Sequence, residues 1–452
     1  MDRMGRVHAF ACVRWDGLHS RPRYWAGAGS KVGIMDETLF LRFVSAMGLF
    51  AIVGLAWVFS EDRSKASGRL VAWGLGLQFG FGVLILRTRF GRALFDGVRG
   101  AFDVVTRAST EGASFLFGNL TKVFVLRSDA VAGAEQNLMI NATLAFQVLP
   151  LIIFASALAG ILFHLRVIQA VVRFAAWLMR RTLKTSGAET FSTALLVFLG
   201  IESMTAVRAY LQRMTRSELC TVMTAFMSTI AASVMLAYAN FGAEPGHLLA
   251  ASVMSAPAAI LISKLLTPET GEPLTVDTGR IEVPVESRNV IDAASRGASE
   301  GLKMALNVGA MLIAFVGLVY LCDQALEVVI ERNLTQVMGW LFRPFAVLMG
   351  VPLRDVGAVS ELLGTKTVLN EFLAYSNLEP MVREGSLSPR SITIATYALC
   401  GFANPGSLAI LIGGLSGLIP ERRAELAALG LKAFAGGTLA CFSTACVAGV
   451  VA

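Results

Sequence analysis

Charge is what this chain has least of: Asp, Glu, Lys and Arg make up 16% of its residues, against about 25% in an ordinary soluble domain. A chain of 452 residues so poor in polar cover cannot surround a soluble core, so the sequence reads as an all-α membrane protein. Histidine is also sparse. His8, His19, His164 and His247 lie far apart, and without an HExxH pattern or a carboxylate-histidine cluster a resident metal or cofactor has no support. The cysteines Cys12, Cys220, Cys322, Cys400, Cys441 and Cys446 include no CxxC and no regular spacing, which argues against a disulfide framework. The net charge of +7 is spread between apolar segments instead of forming a stripe with interleaved aromatics, which argues against nucleic acid as a partner.

What the chain does have is long apolar runs. About 20 such residues are needed to cross the hydrocarbon layer. Eight segments meet that length: Phe43 to Phe59, Leu70 to Leu86, Ala142 to Phe163, Leu219 to Ala239, Leu248 to Leu265, Leu302 to Leu321, Ile392 to Leu415 and Ala427 to Val451. Two further runs break too early. Phe191 to Leu211 is interrupted at Gly200-Ile201-Glu202, and Val356 to Tyr375 around Gly364-Thr365-Lys366. Arms of about ten residues cannot cross, so each run reads as a helical hairpin that enters and leaves on one side. Before each hairpin lies an amphipathic stretch, "RVIQAVVRFAAWLMRR" and "TQVMGWLFRPFAVLMG", suited to the membrane interface.

Basic residues in short loops set the orientation. Arg63, Lys65 and Arg69, Arg180, Arg181 and Lys184, Arg213 and Arg216, and Arg422 and Arg423 place their loops on the cytoplasmic side, with both ends of the eight-span core outward. The basic segment Arg87 to Arg127 falls outside on this scheme, against the rule, which long segments obey poorly. Residues 1–34 carry six Lys or Arg and no apolar run of signal-peptide length, and read as a disordered extension upstream of a start at Met35.

The chain also repeats itself. The first hairpin leads to "MTRSELCTVMTAFMSTIAASV" and the second to "LSPRSITIATYALCGFANPGS". With Ser217 laid on Ser391, Ser228-Thr229-Ile230 falls on Phe402-Ala403-Asn404, mid-span in both, and the second copy then breaks at Pro405-Gly406. Interrupted helices at matching positions of two halves point to a binding site near the bilayer midplane. The organisation that follows is N-terminal scaffold helices over 35–165, a first repeat over 166–270, a loop and scaffold helix over 271–334, and a second repeat over 335–452.

A charge at the bilayer centre costs roughly 3 kcal/mol or more, so Glu371 needs a partner. If the second arm is helical through this point, Thr367 and Glu371 share one face while Lys366 pairs with Asn370 on another. That leaves the Glu371 carboxylate free to accept hydrogen bonds from a hydroxylated ligand. Glu202 is its counterpart at the first hairpin tip, and either glutamate, closed off from water, can also carry a proton.

At these residues the sequence resembles the concentrative nucleoside transporters. "GTKTVLNEFLAY" and "ALCGFANPGSLAILIGGLSGLIPERR" are similar to that family's signature segments, and "EGASFLFGNL", "ILISKLLTPET" and "GLKMALNVGAMLIAFVGLVYL" extend the likeness from about Met35 to the C-terminus. The resemblance implies eight transmembrane helices, two re-entrant hairpins and three interfacial helices in an inverted repeat, assembled as a homotrimer in the inner (plasma) membrane. It implies that Glu371, Asn404 and Ser407 bind the ribose hydroxyls, with Phe402 nearby and Ile201, Glu202 and Val234 on the base side. It also marks two departures. Where the family carries Gly-Gln-Thr-Glu-Ala-Pro, this chain has Gly200-Ile201-Glu202-Ser203-Met204, one residue shorter and without the amide that reads the base. The family's sodium-ligating asparagine aligns with Leu196, leaving the Thr229 hydroxyl and the carbonyls of Leu199 and Ile230. Proton coupling through Glu202 or Glu371 is therefore favoured over sodium.

The expected activity is cation-coupled nucleoside import by alternating access. Carriage of another ribosylated or polyhydroxylated solute is the alternative that the altered hairpin motivates. A membrane-embedded enzyme using Glu202 and Glu371 as an acid and base lacks a nucleophile, metal set or cofactor motif.

Overall fold

The protein is described from a computed structural model, which gives the backbone of residues 30–121, 124–127, 137–140, 144–275 and 287–451. Most of the predicted N-terminal extension, the first residues of the span predicted from Ala142, and part of the loop before the long scaffold helix lie outside the described residues.

The N-terminal part comprises α1 (Ser30–Val58), α2 (Gly68–Arg87), α3 (Arg89–Phe117), the strands β1 (Phe124–Arg127) and β2 (Asn137–Ile140), and α4 (Leu149–His164). The two strands pair antiparallel, with Phe124 opposite Ile140. The described elements are otherwise helical, as expected, and this short ribbon is the exception among them. Its strands are rich in Phe, Val, Leu and Ile, and are too short and too close together to form helices of useful length. The 29-residue α3 occupies most of the basic segment that fitted the orientation rule poorly. It is strongly amphipathic, with apolar residues gathered on one face among Arg89, Arg92, Arg99 and Arg107, the pattern of a helix lying in an interface.

After that the chain runs through the same series twice. The first copy is an amphipathic α5 (Val167–Leu183), a hairpin of α6 (Gly187–Leu199) and α7 (Arg208–Leu211), a broken helix of α8 (Arg216–Ser228) and α9 (Ala232–Ala239), and a long α10 (Pro245–Leu266). A 41-residue helix, α11 (Val290–Ile330), then packs along α4. At 1.5 Å per residue it is about 60 Å long, twice the hydrocarbon thickness. It therefore extends well past the predicted Leu302 to Leu321. The second copy is α12 (Leu334–Leu348), α13 (Val356–Val368) with α14 (Glu371–Arg383), α15 (Pro389–Leu399) with α16 (Pro405–Leu418), and α17 (Arg423–Val451). The core lies among α8, α10 and α17, which are buried along most of their length, whereas α4 and α11 are mostly exposed, as suits a surface facing lipid or other protein.

Among the described residues, seven helices are long and apolar enough to cross a membrane. The seventh predicted span, Ile392 to Leu415, is divided at residues 400–404 into α15, with 11 residues, and α16, with 14. The corresponding break between α8 and α9 falls at residues 229–231, which the superposition of Ser217 on Ser391 lays on 403–405, overlapping the end of the second break. Both serines occupy the first turn of their helices. Ser217 Oγ donates to the Thr267 carbonyl at 2.6 Å, and Ser391 Oγ donates to Asp355 Oδ2 at 2.6 Å.

The first hairpin turns where predicted. Gly200 closes α6 at φ +74°, a conformation that a Cβ would strain, and a 3₁₀ turn follows over Ile201–Val207. The second hairpin does not turn at Gly364-Thr365-Lys366. Helix α13 continues through all three residues, and the chain breaks at Leu369-Asn370. Here the Asn370 side chain caps α14, its Oδ1 accepting from the Leu373 N–H at 2.9 Å. Gly364 serves packing instead: a Cβ there would lie 2.8 Å from the Thr335 carbonyl oxygen of α12. The predicted face shared by Thr367 and Glu371 is thus split between two helices, and the predicted pairing of Lys366 with Asn370 is replaced by separate contacts.

Candidate functional site

The two hairpin tips, both broken helices and the middle of α11 surround one cavity. Its lining includes Gly200, Ile201, Val234, Glu371, Phe402, Asn404 and Ser407. Six side chains predicted for a solute site from distant parts of the sequence, Ile201, Val234, Glu371, Phe402, Asn404 and Ser407, are thereby brought together. Glu202 is in the 3₁₀ turn beside Ile201, but its side chain lies outside the described residues.

Glu371 is the first residue of α14, so its carboxylate sits at the electropositive end of that helix. It is buried, and its partners are neutral. The Tyr238 hydroxyl donates to Oε1 at 2.7 Å, and Asn404 Nδ2 donates to Oε2 at 2.8 Å. Neither of these bonds comes from an arginine or lysine. Lys366, one turn before the hairpin tip, points elsewhere: its ammonium donates to the Ala398 carbonyl at 2.8 Å, near the C-terminal end of α15. That end carries partial negative charge, which compensates a buried cation without drawing it to Glu371.

The amide of Asn404 is used at both ends. Besides donating to Glu371, it accepts from the Ser407 N–H at 2.8 Å and so caps α16. The break in the second repeat thus fixes the start of α16 and the orientation of Glu371 through one side chain. Phe402 packs against Phe226, ring centroids 5.3 Å apart, forming an aromatic wall. Ile201 reaches across to α16, where a Cβ on Gly414 would lie 3.4 Å from its Cγ1.

The residues considered for sodium lie around the first break. Thr229 Oγ1 donates to the Ala225 carbonyl at 2.7 Å, which leaves its lone pairs available to a cation. The Ile230 carbonyl accepts from Ser252 Oγ at 3.3 Å. Leu199 ends α6, and Leu196, one turn earlier, is buried and offers no side-chain oxygen. Hard cations take oxygen ligands. Among the described residues there is no group of three or more His, Cys, Asp or Glu placed to hold a metal ion.

Sequence reasoning missed three features. Tyr238, the hydrogen-bond donor to Glu371, was hidden as an ordinary aromatic at the end of an apolar run. Asn307 of α11 lines the cavity, and its signal was a lone amide in "GLKMALNVGAMLIAF". The third is a buried charge cluster apart from the cavity. Lys264 of α10 lies 2.9 Å from Glu189 of α6 and 2.9 Å from Glu269, and donates to Ser217 Oγ at 3.0 Å. A lysine within the span Leu248 to Leu265 was the available clue.

Comparison with known proteins bears on the whole chain. Residues 47–120 and 247–449 match family models described as the N-terminus and C-terminus of Na+ dependent nucleoside transporters, and residues 145–245 match one described as nucleoside recognition. The chain is 40% identical over 412 residues to YutK of Bacillus subtilis (strain 168), an uncharacterized transporter, covering 89% of this chain and 98% of that protein. It is 38% identical over 432 residues to solute carrier family 28 member 3 of Mus musculus, where it spans only 59% of the relative's length. A solved structure of CNTnw, in an inward-facing substrate-bound state, superposes with a TM-score of 0.81 at 35% identity, covering 90% of this chain and 98% of that one. These matches and the multi-pass helical architecture place the chain in the concentrative nucleoside transporter family.

Proposed function

We propose that this protein is a secondary active symporter that imports nucleosides across the plasma membrane, coupled to a cation. One observation carries the reading: a buried carboxylate, Glu371, lines a cavity between two interrupted helices and is held there by neutral donors. Hydroxyl groups of a ribose would complete that carboxylate's hydrogen bonding, alongside the Ser407 hydroxyl. The hairpins and broken helices would move the solute past a scaffold that includes α4 and α11, with re-entrant hairpins and a homotrimer as the family resemblance implies. The two rat relatives named sodium/nucleoside cotransporters support the substrate class.

The coupling ion in this reading is the proton. Leu196 removes a side-chain ligand from the family's sodium site, while Glu371 provides a carboxylate that can be protonated and released once per cycle. Sodium is the second reading, supported by the family description and by the free lone pairs of Thr229. Proteoliposomes loaded without sodium test both. Radiolabelled uridine or adenosine should accumulate unchanged under an inward proton gradient. Accumulation that follows a sodium gradient at constant pH would make sodium the coupling ion. Uptake of sugars or other ribosylated solutes with no uptake of nucleosides would overturn the substrate class.

A further inference from the structure

We propose that Asn307, on the scaffold helix α11, is a substrate-binding residue that pairs with the polar edge of the nucleobase and thereby sets which nucleosides the protein accepts. This inference rests on the nucleoside reading above.

Met304, Asn307, Val308, Met311 and Phe315 line the cavity along one face of α11, at the spacings of three and four residues that share a helix face. Four of the five are apolar. Two neighbours fix where that face lies. The Ser233 hydroxyl of α9 is 3.9 Å from Met304 Sδ, and Met311 approaches α16 so closely that a Cβ on Gly406 would lie 2.5 Å from its Cε. Asn307 lies one turn from each methionine, and so faces the space between the broken helix of the first repeat and the start of α16.

The cavity contains three asparagines, and two are occupied. Asn404 is bonded at both ends, and Asn370 caps α14. The Asn307 amide has no hydrogen-bond partner among the described residues. A primary amide brings two donors and an acceptor. Asn307 is exposed within the open cavity, so its amide is free to bond what enters there. The first hairpin contributes Ile201 and α9 contributes Val234 to the lining, and neither side chain can hydrogen-bond a base. Asparagine can bond a nucleobase edge with donor and acceptor together, as it does to adenine. In this chain the amide missing from the hairpin is offered from the opposite, scaffold side.

The test compares two ribosides that share a sugar: adenosine, and an analogue whose ring is phenyl and has no polar edge. Uptake kinetics are measured in proteoliposomes for the unmodified protein, Asn307→Leu, Asn307→Ala and Asn307→Gln. With either apolar replacement the KM for adenosine should rise about tenfold, as for one lost buried hydrogen bond. The KM for the phenyl riboside should stay within about twofold, the kcat for both should hold, and Asn307→Gln should restore part of the adenosine affinity. An unchanged adenosine KM, an equal rise for both ribosides, or a change confined to kcat would overturn the assignment and leave the nucleoside reading in place. If the unmodified protein carried neither riboside, the nucleoside reading itself would fail, and this inference with it.

Discussion

Glu189 and Glu371 are both buried among helices, and their surroundings are opposites. Glu189 has a lysine ammonium 2.9 Å away and sits in a cluster with Glu269, Ser217 and Glu218, joined by Ser186. Glu371 has a phenol and an amide, and a cavity beside it. A carboxylate that serves structure is neutralised by a fixed cation, because a buried unpaired charge costs several kcal/mol. In the proposed reading, Glu371 has to keep bonding capacity for a solute that comes and goes. Neutral donors hold it in position without satisfying its charge.

Removing the cation from the first site should have the largest effect. Lys264→Met should destabilise the protein by about 3–5 kcal/mol, because Glu189 would then be buried without a counter-ion. The melting temperature of the detergent-solubilised protein measures this. Adding Glu189→Gln should recover part of the loss, since residues in contact are not additive. If Lys264→Met left the melting temperature alone and abolished uptake, the contrast between the two glutamates would fail.

At the second site the same kind of change should cost function instead. Glu371→Gln should lower kcat/KM for nucleoside by about a hundredfold, from weakened bonds to a charged acceptor, with little change in melting temperature. Smaller again is Tyr238→Phe. Losing one donor to Glu371 should raise KM by about tenfold without removing activity, since Asn404 remains. A transport rate indifferent to the phenol would mean that the hydroxyl does not position the carboxylate.

The smallest expected effect sharpens the comparison at the hairpin tips. Ile201→Gln returns an amide to the first hairpin, and should improve the affinity for polar bases by about two- to fivefold. The phenyl riboside should lose affinity in the same variant. A gain for both would attribute the effect to hairpin closure instead of base recognition.

Much of this was legible in the chain. Apolar run length located the spans, and Gly200 marked the first hairpin tip because a φ of +74° is nearly a glycine privilege. The register of Ser217 on Ser391 brought the two breaks within a few residues of each other, but Pro405-Gly406, read as the break itself, opens α16 instead. Periodicity could not find the second tip. Lys366 and Gly364 look like interruptions in an apolar helix, yet the turn is made four residues after Lys366 by an asparagine whose side chain competes for the backbone. The Glu189–Lys264 pair was equally invisible, since its members are 75 positions apart in the chain.

The sequence by itself determined that the chain resides in a membrane and where its helices break, and it singled out Glu371, Asn404 and Ser407, which line one cavity. Hydrophobic length and helix-breaking residues are local properties, and local order suffices to read them. Only the tertiary structure decided which partner each buried charge has: Lys366 to the end of α15, Lys264 to Glu189, and Glu371 to Tyr238 and Asn404. Electrostatic pairing depends on distances of a few ångströms between segments far apart in the chain, and those distances exist only once the helices have packed.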